Sequence, residues 1–179
     1  MLEDAGYIAE QDGKWHATPA GRILARIYAE RDILIAQGVR TGVWDALAPA
    51  DLAGVVTALV FETKEGPASS VVPDSMRAAV KATNALAVEL GERERHAGVP
   101  VTEPPDTSAS TAVAMWARGE PLARVIDENL SPGDFVRLAS QLLDVLDQIA
   151  DVAPNPELRS CARQAFRAVR RGVVLTSIP

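Results

Sequence analysis

Trp116-Ala117-Arg118-Gly119-Glu120-Pro121-Leu122 spells a tight turn between two helices, and the repeat that follows it decides the fold. Phe135, Leu138, Leu142, Val145 and Ile149 recur at alternating steps of three and four, which places them on one face of an α-helix. Val136, Leu143 and Leu146 widen that face to roughly 100° or more, the width of a helix that packs against several neighbours at once. Ser131, Pro132 and Asp134 mark its start: a hydroxyl to cap free N–H groups, a proline suited to the first helical position, and a carboxylate that completes a Ser-x-x-Asp box at the positive helix end. This helix is the hub of a bundle, with Trp116, Gly119, Phe135 and Leu142 as its structural signature.

Working outward toward the N-terminus, Met1 to Thr18 holds two short β-prone runs around Gln11-Asp12-Gly13, which predicts a β-hairpin. Thr18-Pro19 then caps and opens a helix that carries Ile23, Leu24, Ile27 and Leu34, with Gly38 and Gly42 loosening its far end. Leu47 to Leu52 begins the next helix, with Pro49 and Asp51 in its first turn and Leu52, Val55, Val56, Leu59 and Val60 on its buried face. Gly66-Pro67 is the expected stop, in a loop from Glu65 to Pro73. Asp74 is the expected cap of a long helix through Met76, Val80, Leu86 and Leu90, whose charged end, Gly91 to Arg95, reads as solvated. The proline-rich stretch from Val99 to Ser108 is the expected weak point between two helical halves, open to cleavage.

Beyond the hub helix, Asn155 and Pro156 cap and start a last helix that runs to about Val173. Leu158, Ala162, Ala165, Phe166, Val169 and Val173 share one face, and Arg159, Arg163, Arg167 and Arg170 line the opposite one, flanked by Arg171. Guanidinium groups so arranged can follow a phosphate backbone, although arginine on an exposed helix face is also ordinary solvated surface. Trp116 is better explained as core than as a base-stacking platform.

Composition bounds the function. The chain has 179 residues, 47% of them hydrophobic, a net charge of −6 and a pI near 5.0, so bulk positive charge does not hold it to nucleic acid, while a local basic stripe can. The apolar runs fall far short of the ~20 residues that span a bilayer. One cysteine, Cys161, gives no internal disulfide framework and fits a reducing, cytoplasmic setting. No Gly-x-x-x-x-Gly-Lys-Ser/Thr loop is present, so no ATP turnover by this chain alone is expected. His16 and His96 lack the neighbours a metal site requires, and Cys161 lacks a base. Neither a catalytic residue, a metal site nor a cofactor is expected in the chain.

The stretch from Leu2 to Ile8, the hairpin and the Thr18-Pro19-x-Gly21 helix start resemble the closing half of a winged-helix domain. A hairpin without covering helices is marginal in water, so the chain is expected to be a C-terminal piece of something longer, or one whose start was misplaced. Four motifs extend the likeness: Leu47-x-Pro49-x-x-Leu52-Ala53-x-x-Val56-x-x-Leu59-Val60-Phe61-Glu62; Trp116-Ala117-x-Gly119-x-x-Leu122; Gly133-Asp134-Phe135-Val136-Arg137 leading into Leu142-Leu143-x-x-Leu146-x-Gln148-Ile149; and Arg171-Gly172-Val173-Val174. In this order and spacing they resemble the C-terminal region of SKI/HelY-type superfamily-two RNA helicases, which ends in the DSHCT helical domain.

The resemblance implies a mainly α fold, a helical bundle over residues 43–179 preceded by the end of a winged-helix domain over residues 1–42. It implies an accessory module of an ATP-dependent RNA helicase, packed on RecA-like motor domains that hold ATP and Mg²⁺ and lie outside this chain. Single-stranded RNA and those motor domains are the implied partners, with no membrane. Arg137, Arg163, Arg167, Arg170 and Arg171 are the RNA-facing candidates, of which the family motifs include only Arg137 and Arg171. Two rival readings are a winged-helix transcriptional regulator, which would prefer duplex DNA and form a symmetric dimer, and a docking bundle with no nucleic-acid contact.

Overall fold

A computed structural model describes residues 1–62 and 70–177. Strands β1 (Ile8–Gln11) and β2 (Lys14–Ala17) form an antiparallel hairpin in which Ile8 faces Ala17 and Gln11 faces Lys14. Asp12 and Gly13 both have positive φ, 54° and 71°, the conformation a two-residue hairpin turn demands. The hairpin stands clear of the core, and its Trp15 is 54% exposed. The other regular elements of the described chain are helices: α1 (Pro19–Leu24), α2 (Asp32–Thr41), α3 (Pro49–Val60), α4 (Asp74–Ala97), α5 (Ser110–Ala117), α6 (Pro132–Val152), α7 (Pro156–Val169) and α8 (Gly172–Ser177), with a 3-10 turn at Leu122–Arg124.

The hub is α6. Ser131 caps it by accepting from the Asp134 N–H at 3.2 Å, and its hydroxyl donates to the Asp134 carboxylate at 2.7 Å, so the two residues of the box read from the sequence meet. Phe135, Leu138, Leu142, Leu146 and Ile149 are buried against α3, α7 and α8. Helix α3 is buried nearly all round and packs most extensively on α5, an approach that Gly54 permits: a Cβ there would lie 2.8 Å from the Ser110 carbonyl oxygen. Helix α2 contributes to two buried clusters. Its Leu34, Ile35 and Val39 enter the main core, while Ala36 packs with Tyr7 and Ala5 beneath the hairpin.

Several boundaries differ from the sequence expectation, most of them where a distant partner takes a group the helix would have used. The helix expected to run from Pro19 past Leu34 is two. The Tyr28 N–H is bonded to the Gln148 side chain at 2.8 Å, Ile27 turns into the core, and the chain restarts at Asp32. Helix α3 stops at Val60, before Gly66 and Pro67, which lie outside the described residues; the Ala58 carbonyl accepts the Asp106 N–H and the Leu59 carbonyl accepts Arg31. Asp74 is the first residue of α4, not its cap, and pairs with Arg77. The charged end of α4 is only partly solvated: Glu94 is 3% exposed and accepts the Thr102 N–H and hydroxyl at 2.7 and 2.6 Å.

The stretch from Val99 to Ser108 is likewise an anchored strap. Pro105, Asp106 and Thr107 are buried, and Arg31 donates to the carbonyls of Glu103 and Pro104. Helix α7 ends at Val169, not Val173, because the chain breaks at Arg170 and turns through Gly172, φ +51°, which lets Val174 of α8 enter the core.

Gly38 does not loosen α2; it accommodates Trp44, whose ring carbon would lie 2.3 Å from a Cβ at that position. Trp44 is fully buried and its indole donates to the Thr83 hydroxyl at 3.0 Å, so the ring has nowhere to retreat. Alanine would gain up to ~1 kcal/mol of helix propensity over glycine, but overpacking costs about 1–3 kcal/mol, so Gly38→Ala is expected to lower the melting temperature. A melt at or above that of the unaltered chain would show that Trp44 can shift.

Candidate nucleic-acid interface

Helix α7 presents a basic surface built by a regular pattern. Asn155 caps it by accepting the Glu157 N–H at 2.9 Å, and Pro156 occupies the first helical position. Leu158, Ala162, Ala165 and Val169 are buried against α6 and α3, so the 3.6-residue period turns Arg163 and Arg167 outward. They are exposed, as is Arg170 just past the helix end. Arg159, Ser160, Arg163, Gln164 and Arg167 line a shallow groove along this face. Four residues of helix rise separate Arg163 from Arg167 by about 6 Å along the axis.

These guanidinium groups are uncommitted. The side chains of Arg163, Arg167 and Arg170 make no ion pair or hydrogen bond among the described residues, whereas Arg77, Arg93, Arg124 and Arg137 each pair with a carboxylate on the same helix or segment. Arg159 is different in kind: it is half-buried and donates to the Ala153 carbonyl at 2.9 Å, which helps to close the end of α6.

The structure separates the remaining candidates from this group. Arg137 is exposed near the start of α6, paired with Asp134 at 2.6 Å, on the rim of a cleft that also holds Glu30, Asp127, Glu128 and Asp144. Arg171 faces inward. It donates to the Trp116 carbonyl from Nε at 3.0 Å and from Nη2 at 2.6 Å, reaches the Glu120 carbonyl, and lies 3.6 Å over the Trp116 ring. Burial pulls its pKa down from the ordinary arginine value. With Nε and Nη2 committed to these carbonyls, Arg171 is a staple between the start of α8 and the end of α5.

Trp116 is core. It is 2% exposed, its indole donates to the Val169 carbonyl at 2.8 Å, and it meets Phe135 edge to face at 5.2 Å. Gly119, φ +104°, turns the chain just after α5, and the Glu120 N–H returns to the Met115 carbonyl in the manner of a glycine-terminated helix.

Other reactive side chains are quiet. Cys161 donates to the Leu47 carbonyl at 3.2 Å, and burial, reinforced by Asp51, pushes its thiol up to about 11, so it is protonated at neutral pH. His16 and His96 are exposed. Among the described residues no cluster of three or more His, Cys, Asp or Glu could hold a metal, and no helix is long and apolar enough to cross a membrane. What sequence reading missed is the cleft beside Arg137. Its acidic residues come from separate segments, and no local pattern links them.

The family model for the DSHCT (NUC185) domain matches residues 14–177. Over 171 residues the chain is 42% identical to the probable helicase HelY of Mycobacterium tuberculosis (strain ATCC 25618 / H37Rv) and 40% identical to that of Mycobacterium leprae (strain TN). Each alignment covers 88% of this chain, which spans only 19% of the relative's length.

Proposed function

The chain belongs to the DSHCT (NUC185) domain family, and on that premise we propose that it is an accessory helical module of an ATP-dependent RNA helicase, packing on the motor domains and guiding a single strand of RNA along α7. Residues 1–42 then close a winged-helix unit and residues 43–179 form the bundle. ATP and Mg²⁺ act in the motor domains, in the cytoplasm, and the module supplies surface and not catalysis. The observation that carries the reading is the set of Arg163, Arg167 and Arg170, exposed and without an ion pair among the described residues, in a chain of net charge −6. Unpaired cations on an acidic protein are placed to meet an anion, and a spacing of about 6 Å per helical step suits successive phosphates of an extended strand.

Arg163→Gln together with Arg167→Gln tests this in the helicase that carries the module. Each phosphate contact on a single strand contributes about −0.7 to the slope of log affinity against log salt, so the double variant is expected to flatten that slope by ~1.4. Because both side chains lie in solvent, stability is expected to stay within about 0.5 kcal/mol. An unchanged slope would remove α7 from the RNA path, and a fall in stability of the assembled helicase would make the stripe a protein-docking surface.

A further inference from the structure

A cleft of about 1200 Å³ opens between the ends of α3 and α5, the 127–131 segment and the outer side of α6. It exceeds the roughly 300–1,000 Å³ of ordinary small-molecule pockets. Its wall carries six carboxylates against one arginine, Arg137, which is already paired with Asp134. Glu30, Glu128 and Asp144 make no side-chain hydrogen bond or ion pair among the described residues. Between them the lining alternates apolar groups, Val60, Phe61 and Ala112 over the buried Leu138 and Val145, with the polar Ser108, Asn129 and Gln141. Phosphates are repelled by such a wall, and the apolar part of the lining offers a free cation nothing to bind.

We propose that this cleft seats a lysine- or arginine-rich segment of the larger helicase, from outside residues 1–179, and so fixes the module on the rest of the machine. The proposal rests on the accessory-module reading. Its occupant follows from charge complementarity, which both attracts a basic segment and rejects RNA, and from the chain's 19% share of the relatives' length, which leaves most of such a helicase to supply that segment. The floor receives the apolar stems of the basic side chains or their aliphatic neighbours, while the heads meet Glu30, Glu128 and Asp144. Arg137, held by Asp134, stays at the rim as a positive group that sets the register of the incoming charges.

Carboxylate footprinting with a carbodiimide and an amine probe tests this, comparing the isolated chain with the full-length helicase, both free of RNA. Labelling of Glu128 and Asp144 is expected to fall severalfold in the full-length protein. Glu128→Lys with Asp144→Lys, both on the surface, is expected to leave the isolated chain folded and to restore labelling of Glu30 in the full-length protein. Equal labelling in the two proteins overturns the proposal, as does protection that appears only when RNA is added. The RNA salt slope of the same preparations separates the two claims: an open cleft beside a flattened slope in the Arg163 and Arg167 variant ends the docking proposal alone, and a protected cleft beside an unchanged slope ends the RNA reading alone.

Discussion

Trp116→Ala is expected to cost about 3–5 kcal/mol of folding stability, the range for removing a large aromatic side chain from a packed core. Three losses combine at this position. The edge-to-face contact with Phe135 disappears, the Val169 carbonyl loses its indole donor, and the Arg171 guanidinium loses the ring on which it lies at 3.6 Å. Since α5, α6, α7 and α8 all meet there, the loss is felt by the whole bundle and not by one turn. For a chain of this size each kcal/mol moves the melting temperature by roughly 2–4 °C, so the effect is large and easily read. Unchanged melting with abolished RNA binding would make Trp116 a base-stacking residue, against the geometry.

The next largest effect is expected at Arg31, which no sequence pattern singled out. Its side chain is 3% exposed and donates to the carbonyls of Leu59, Glu103 and Pro104 and to the Glu62 carboxylate at 2.8 Å. Arg31→Ala leaves these carbonyls without their donor. A buried polar group so orphaned costs about 1–3 kcal/mol, and the costs do not simply add. Glu62 is 44% exposed and can turn to water, so its share is small. A total of about 2–4 kcal/mol follows, of which the readiest sign is a new protease cut between Val99 and Pro105, where the strap loses its anchor. An uncut strap and an unchanged melt would mean that the Asp106 bond to the Ala58 carbonyl and the Thr102 bonds to Glu94 hold it without Arg31.

The parts of the fold legible in the sequence are those whose cause is local. The Ser131 box, the Asn155 cap, the Asp12-Gly13 turn and the period of α6 and α7 all lie within a few residues of what they determine, and each is present as read. What could not be read depends on long-range partners. The break before α2 involves Gln148, and the anchoring of the strap involves Arg31, more than seventy residues away. Glu94 read as a solvated charge because its partner, Thr102, lies across a chain reversal. For the candidate interface the same division holds. The outward Arg163 and Arg167 follow from helical spacing alone, whereas the half-buried Arg159 depends on the Ala153 carbonyl, the inward turn of Arg171 depends on Trp116, and the acid around Arg137 depends on residues from other segments.

The central claim is that RNA runs along α7 and not through the acidic cleft, and position-specific photocrosslinking tests it most directly. Gln164 lies between Arg163 and Arg167 on the exposed face, and Asp144 lies on the cleft wall, so a benzophenone side chain at either site reports what passes within its reach. With the helicase engaged on a single-stranded RNA, the account predicts RNA captured from position 164 and none from position 144. Capture from 144 alone, or from neither, would contradict it.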